Sequence, residues 1–316
     1  MLSHRHALIP VILVVLTLTA SAQSRREAKD SFDRGSDRFA KGDFDGAIAD
    51  FSRAIEISLW HGSNQPERQN FHAGSELSDD RANADRIMFI DPLIAAAYLN
   101  RGMSRVHKGD LEGALADCDR GILINPGLRE AYHNRGLIRW AKKDLEGALA
   151  DFDILIRKNP QDADAYDLRG NIRVDKGDLA GALADYDKAI QLTPRRAGFY
   201  SDRGQIRRSK ADLDGALADF ERVIELKPLW ASAYYFRGMV WSDKGDLQRA
   251  IADFNRAIEL DSNLAEAYAN RGLMRLRLGQ NAEAEKDFAE SLRLDSSLKP
   301  RIDQIVRAEP SRRPSQ

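Results

Sequence analysis

The chain has 316 residues, 43% of them hydrophobic and 31% charged, with 48 basic side chains against 49 acidic ones. That balance supplies none of the positive potential that nucleic acid requires, so no nucleic-acid partner is expected. A single cysteine, Cys118, excludes a disulfide-stapled fold, and its repeat position is otherwise aromatic, which points to core filler.

The first element in the chain is the uncharged, mostly apolar run from Ala7 to Thr19, 13 residues long, behind Arg5 and ahead of "ASAQ". It is short of the ~20 residues that cross a bilayer. Ala20-Ser21-Ala22 has the small-x-small spacing of a signal-peptidase site. Residues 1–22 are therefore expected to be a secretory signal cleaved after Ala22, leaving a periplasmic or secreted protein with no stable membrane span. An uncleaved N-terminal anchor is the alternative.

Beyond Gln23 the chain becomes periodic. "GALAD" begins at Gly113, Gly147, Gly181 and Gly215, each 34 residues after the last, with near copies "GAIAD" at Gly46 and "RAIAD" at Arg249. Let the glycine of each "RG" pair be position eight of a unit. Position four is then Tyr98, Tyr132, Tyr166, Tyr200, Tyr234 and Tyr268, and position twenty is alanine from Ala47 to Ala284. Apolar and small residues recur at steps of three and four without alternation, which specifies amphipathic helices and no strands.

Punctuation divides each unit into two helices. Gly109-Asp110, Gly177-Asp178 and Gly245-Asp246 pair a left-handed stop with a capping aspartate. Pro126, Pro160, Pro194 and Pro228 follow the second apolar run, where proline closes a helix. A glycine inside the first helix costs ~1 kcal/mol against alanine. Its expected compensation is close packing against the position-twenty alanine of the second helix. Such hairpins cannot bury their apolar faces singly, so they must stack.

The pattern divides the chain into a first unit with its lead at 23–57, an insertion or degenerate repeat at 58–94, and six consecutive units at 95–298. Residues 299–316 follow as a capping helix, Lys299 to Ala308, and a disordered tail. Within 58–94, Ser78-Asp79-Asp80 could cap a helix running through Ile87 and Met88 to Ile90, ahead of Pro92.

The 34-residue period, with an aromatic at four, Gly at eight, Ala at twenty, an aromatic at twenty-four and Pro at thirty-two, resembles the tetratricopeptide repeat family over Ala28 to Ser297. The resemblance implies an all-α, right-handed solenoid whose first helices line a concave groove for a peptide or protein segment, and it implies no catalysis. Position seven departs from the family's leucine: it is Arg34, Arg101, Arg135, Arg169, Arg203, Arg237 and Arg271. Position eleven is also basic except at Trp241, and position twenty-three is aspartate throughout, from Asp50 to Asp287. These rows are expected to pair between helices and fix the stacking register. Were both to face water, they would contribute only ~0 to 1 kcal/mol per pair.

By the same resemblance, positions two, five, six, nine, twelve and thirteen face the groove. The early units present Leu99, Asn100, Met103, Val106, His133, Asn134, Leu137 and Trp140 there. The middle units present Asp164, Asp167, Asn171, Asp175, Asp202, Gln205 and Arg208, and the later ones Tyr235, Phe236, Met239, Asn270, Leu273 and Leu276. Asn100, Asn134 and Asn270 could bond an extended ligand whose apolar side chains sit near Trp140 and Phe236. Each could equally pack between neighbouring helices. Leu99, Asp164 and Leu168 stand where one subtype of the family grips a C-terminal carboxylate with basic residues, so that specificity is not expected.

The chain carries no nucleophile-base signature, phosphate loop or clustered His/Cys set, so no catalysis, cofactor or metal is expected. His61 and His72 lie eleven residues apart in a polar stretch, a spacing that matches no metal site. The sequence therefore predicts an exported, non-catalytic adaptor for a protein or peptide partner, the alternative being a homo-oligomer that assembles through its repeats.

Overall fold

The computed structural model describes residues 8–63 and 92–308, and these form fifteen α-helices and one 3-10 turn with no strand. The described residues fall into two compact units, Met1–Pro160 and Gln161–Gln316. The first holds α1 (Leu8–Ala40), α2 (Phe44–Ser63), α3 (Pro92–His107), α4 (Leu111–Ile124), α5 (Arg129–Ala141) and α6 (Leu145–Lys158). The second holds α7 (Ala163–Lys176), α8 (Leu179–Leu192), α9 (Ala197–Ser209), α10 (Leu213–Leu226), α11 (Ala231–Asp243), α12 (Leu247–Leu260), α13 (Ala265–Arg277), α14 (Asn281–Leu294), the turn Ser296–Leu298 and α15 (Lys299–Ala308).

Within each unit, consecutive helices pair as hairpins, and the second helix of one hairpin packs on the first helix of the next. The punctuation acts as its chemistry dictates. Asp110, Asp144, Asp178 and Asp212 each accept the backbone N–H three residues on, from Gly113, Gly147, Gly181 and Gly215, and so start the second helices. Gly177 ends α7 at φ 85°, a left-handed conformation that costs glycine little. Ala211 holds the same turn at φ 62° without that freedom.

The position-twenty alanines are wholly buried, with Ala114, Ala148, Ala182, Ala216 and Ala250 all at 0% exposure. The position-eight glycine, however, mostly faces another residue. A methyl group on Gly136 would lie 2.8 Å from Cε2 of Phe152, and one on Gly170 would lie 2.9 Å from Cε1 of Tyr186. The ring at position twenty-four therefore fills the space over the glycine. Alanine takes that place only beside Gly102, whose neighbours are the Asp117 side chain and the Ala114 backbone because position twenty-four there is the smaller Cys118. Burial pushes the Cys118 thiol up to about 12, so it sits in the core as a neutral, apolar filler.

From Leu8 on, the apolar run assigned to a signal lies in the first part of α1, and no helix among the described residues is long and apolar enough to cross a membrane. The helix expected through Ile87, Met88 and Ile90 lies outside the described residues. On either side of that segment, α2 and α3 are direct neighbours: Ala54, Ile55 and Ala97 share one apolar cluster. His107 also stacks on Phe44, ring centroids 4.5 Å apart. At the other end Ile302 of α15 is buried against Ala269, Ala284 and Phe288, covering apolar surface that the last hairpin would otherwise expose.

Candidate binding face

What orients the first helices is a buried charge clamp. Asp117 accepts from Arg101 (Nε 3.0 Å, Nη2 2.7 Å) and from Arg105 Nη1 at 2.8 Å. Asp151, Asp185, Asp219 and Asp287 repeat the arrangement, each between the arginines of positions seven and eleven. The aspartates are almost completely buried and the arginines about a fifth exposed, so these are not surface pairs. The carboxylate joins the two helices of one hairpin.

Register between hairpins comes from the remaining nitrogen of the position-seven arginine. Arg101 Nη1 donates to Ser52 at 3.0 Å, Arg135 to Asp119 at 2.6 Å, Arg203 to Asp187 at 2.6 Å and Arg271 to Asn255 at 2.7 Å, each on the preceding second helix. The same guanidinium lies over the position-four tyrosine, as with Arg203 over Tyr200 at 5.6 Å. This arginine thus touches both helices of its own hairpin and the hairpin before, which a leucine could not do with comparable directionality. In the α11–α12 hairpin, Trp241 replaces the second arginine, and Arg249 stacks over its ring at 4.6 Å.

In the first unit, the candidate residues lie on α3 and α5. Leu99 is only 6% exposed and belongs to the core with Ala114, Cys118, Ala131 and Ile138, so it packs between helices. Asn100, Met103, His133, Asn134, Leu137 and Trp140 are half-buried, with the His133 ring edge-on to Phe152 at 5.8 Å.

In the second unit, α7, α9, α11 and α13 bring the rest together. Asp167 and Asp202 are half-buried neighbours on α7 and α9. Burial raises Asp202 to about 6. Burial, followed by the charge of Asp202, raises Asp167 to about 7, with Arg196 opposing. Asp167 Oδ1 is buried and accepts no hydrogen bond, while Asp164 pairs with Arg196 at 2.5 Å. Asn171 Oδ1 accepts from the Tyr186 hydroxyl at 2.9 Å.

Further along the same unit the face becomes aromatic. Tyr235 and Phe236 meet edge to face at 5.2 Å, Phe236 stacks on Phe220 at 5.7 Å, and Tyr235, Met239 and Leu273 pack on the buried cluster of Ala250, Phe254 and Met274. Asn270 is 4% exposed and engaged at both ends of its amide: its Nδ2 donates to the Tyr235 hydroxyl at 3.1 Å, and its Oδ1 accepts from Arg301 of α15 at 3.1 Å. The structure thus spends the Asn270 amide on the chain's own C-terminal helix. Sequence reasoning missed two contributors here. Tyr186 was legible, since it alone puts a hydroxyl at position twenty-four. Arg301 was not, because it lies outside the repeat.

Stacked 34-residue helical hairpins whose first helices expose a mixed polar and aromatic face define a repeat scaffold, and no His/Cys/Asp/Glu cluster fit for a metal occurs among the described residues. The TPR repeat profile matches residues 170–207 and 242–279, and the tetratricopeptide repeat profile matches 265–298, so the chain carries tetratricopeptide repeats. A tetratricopeptide repeat protein from Parabacteroides merdae is similar in fold, at 19% identity and TM-score 0.61 over 89% of this chain and 98% of that one. The APC/C hetero-tetramer Cut9-Hcn1 matches at 15% identity and TM-score 0.57, over 88% of this chain and 55% of that one. MamA from Desulfovibrio magneticus matches at 22% identity and TM-score 0.50, over 54% of this chain and 96% of that one. No curated protein matches.

Proposed function

We propose that this protein is a non-catalytic adaptor that holds a peptide or protein segment on the face of its first helices, and that it acts in the cell envelope or beyond after cleavage behind Ala22. The observation that carries the reading is the half-buried row of Tyr235, Phe236 and Met239 on α11, with the half-buried acids Asp167 and Asp202 on the first helices α7 and α9 of the same unit. Rigid helices held by the arginine clamp suit a preformed binding surface, which lowers the entropy lost on association. The short apolar run before Ala20-Ser21-Ala22 supports export.

The test is capture of envelope proteins by the immobilised mature chain and by Phe236→Ala and Trp140→Ala, each compared separately with the parent. A partner retained by the parent and lost with either substitution, at unchanged thermal stability, supports the adaptor. Equal capture by all three refutes it. Light scattering over a concentration series separates out self-assembly, which would give a mass that rises with concentration and ignores both substitutions. Mass spectrometry of the exported chain checks for an N-terminus at Gln23.

A further inference from the structure

Resting on that reading, we propose that the first-helix face of the second unit takes a segment with an arginine or lysine flanked by apolar side chains, its cation seated at Asp167 and Asp202 and its apolar groups against Tyr235, Phe236 and Met239.

Three observations converge on this partner. The apolar row is continuous: Phe236 meets both Phe220 and Tyr235, and Tyr235 and Met239 pack on one buried cluster, so a hydrophobic side chain has a surface on which to dry. On the preceding first helices of the same unit, α7 and α9, stand two acids, one with an orphaned buried oxygen, and the nearby Arg196 is engaged with Asp164. A buried acceptor without a donor costs free energy, and a ligand's ammonium or guanidinium removes that cost. Lastly, the chain itself seats a guanidinium on this face, since Arg301 reaches from α15 to Asn270 beside the Tyr235 hydroxyl. An acidic partner would meet Asp164, Asp167 and Asp202 as like charges, which disfavours it.

The experiment uses the full mature chain and fluorescence anisotropy of a labelled peptide, SLFSRSFLS, beside its counterpart with citrulline in place of arginine. Citrulline keeps the shape and removes the charge. The sequence is symmetric about the central residue, so either chain direction offers the same groups. The arginine peptide is expected to bind about tenfold more tightly than the citrulline one at low salt. Asp167→Asn with Asp202→Asn should erase the gap, while Glu259→Gln on a second helix leaves it. Phe236→Ala should weaken both peptides alike. Equal affinities for the two peptides, or a gap that survives the double aspartate change, overturn the inference. If Phe236→Ala still weakens both in that case, the broader adaptor reading stands. Absence of binding by either peptide also overturns the inference, and partner capture then decides the adaptor reading independently.

Discussion

Each repeat turns on one carboxylate whose surroundings leave it no alternative partner. Asp185 accepts from Arg169 Nε and Nη2 and from Arg173 Nη1, at 3.0, 2.6 and 2.7 Å. Removing it strands two guanidinium groups in a half-buried seam, so Asp185→Ala should cost about 3 to 5 kcal/mol in urea unfolding. Asp253 has Arg237 but faces Trp241 in place of the second arginine, so Asp253→Ala should cost measurably less. Losses below ~1 kcal/mol at both would place the clamp among inconsequential surface pairs. The glycine offers a second contrast. A methyl group on Gly136 meets the Phe152 ring at 2.8 Å, whereas on Gly102 its nearest neighbour is Asp117 Cβ at 3.3 Å. Gly136→Ala should lose about 1 to 2 kcal/mol, overpacking exceeding the gain in helix propensity, and Gly102→Ala should lose less. The sequence marked this glycine as a close-packing point but paired it with alanine. Positions twenty and twenty-four lie one turn apart on the same face, and spacing alone cannot say which of them covers the glycine. Ring size decides it.

Helix boundaries were the most legible elements, because their signals are local. The aspartate of each Gly-Asp pair caps its helix as its short carboxylate predicts, and the same turn forms at Lys143-Asp144 and Ala211-Asp212, where no glycine announces it. Stacking against neighbouring hairpins supplies enough free energy to hold two non-glycine residues left-handed. That strain is recoverable. Ala211→Gly removes the crowded Cβ of a residue at φ 62° and should raise stability by about 1 kcal/mol, less the entropy of the freer unfolded chain. A melting temperature at or below that of the parent would show the turn to be unstrained. The clamp was legible as a matched row of Arg and Asp, yet its geometry was not. Sequence pairing could not reveal that Asp joins the helices within a hairpin while a separate Arg nitrogen carries the register between hairpins.

At the scale of the whole chain, periodicity gave the repeat, and what lay outside the period stayed hidden: the reach of Arg301 onto Asn270 and the direct contact of α2 with α3 both depend on tertiary packing. The acidic residues at Asp167 and Asp202 were visible as composition but not as a destabilising pair, since that depends on burial. Their cost should appear in the pH dependence of folding. Unfolded, both ionise near the usual ~4; folded, they hold their protons to about 6 and about 7. The native state therefore binds more protons across that interval, and stability falls as pH rises from ~4 to ~7, then levels. Asp164, Arg196 and Tyr186 surround the pair and do not reverse this sign, because burial is the first cause at both carboxyls. Asp167→Asn with Asp202→Asn should stand closer to the parent in urea unfolding near pH 4.5 than at pH 8, its advantage widening over that interval by on the order of 5 kcal/mol. An advantage of the same size at both pH values would mean that the two carboxyls titrate normally, and with it would go the reason for these acids to seek a cation from outside.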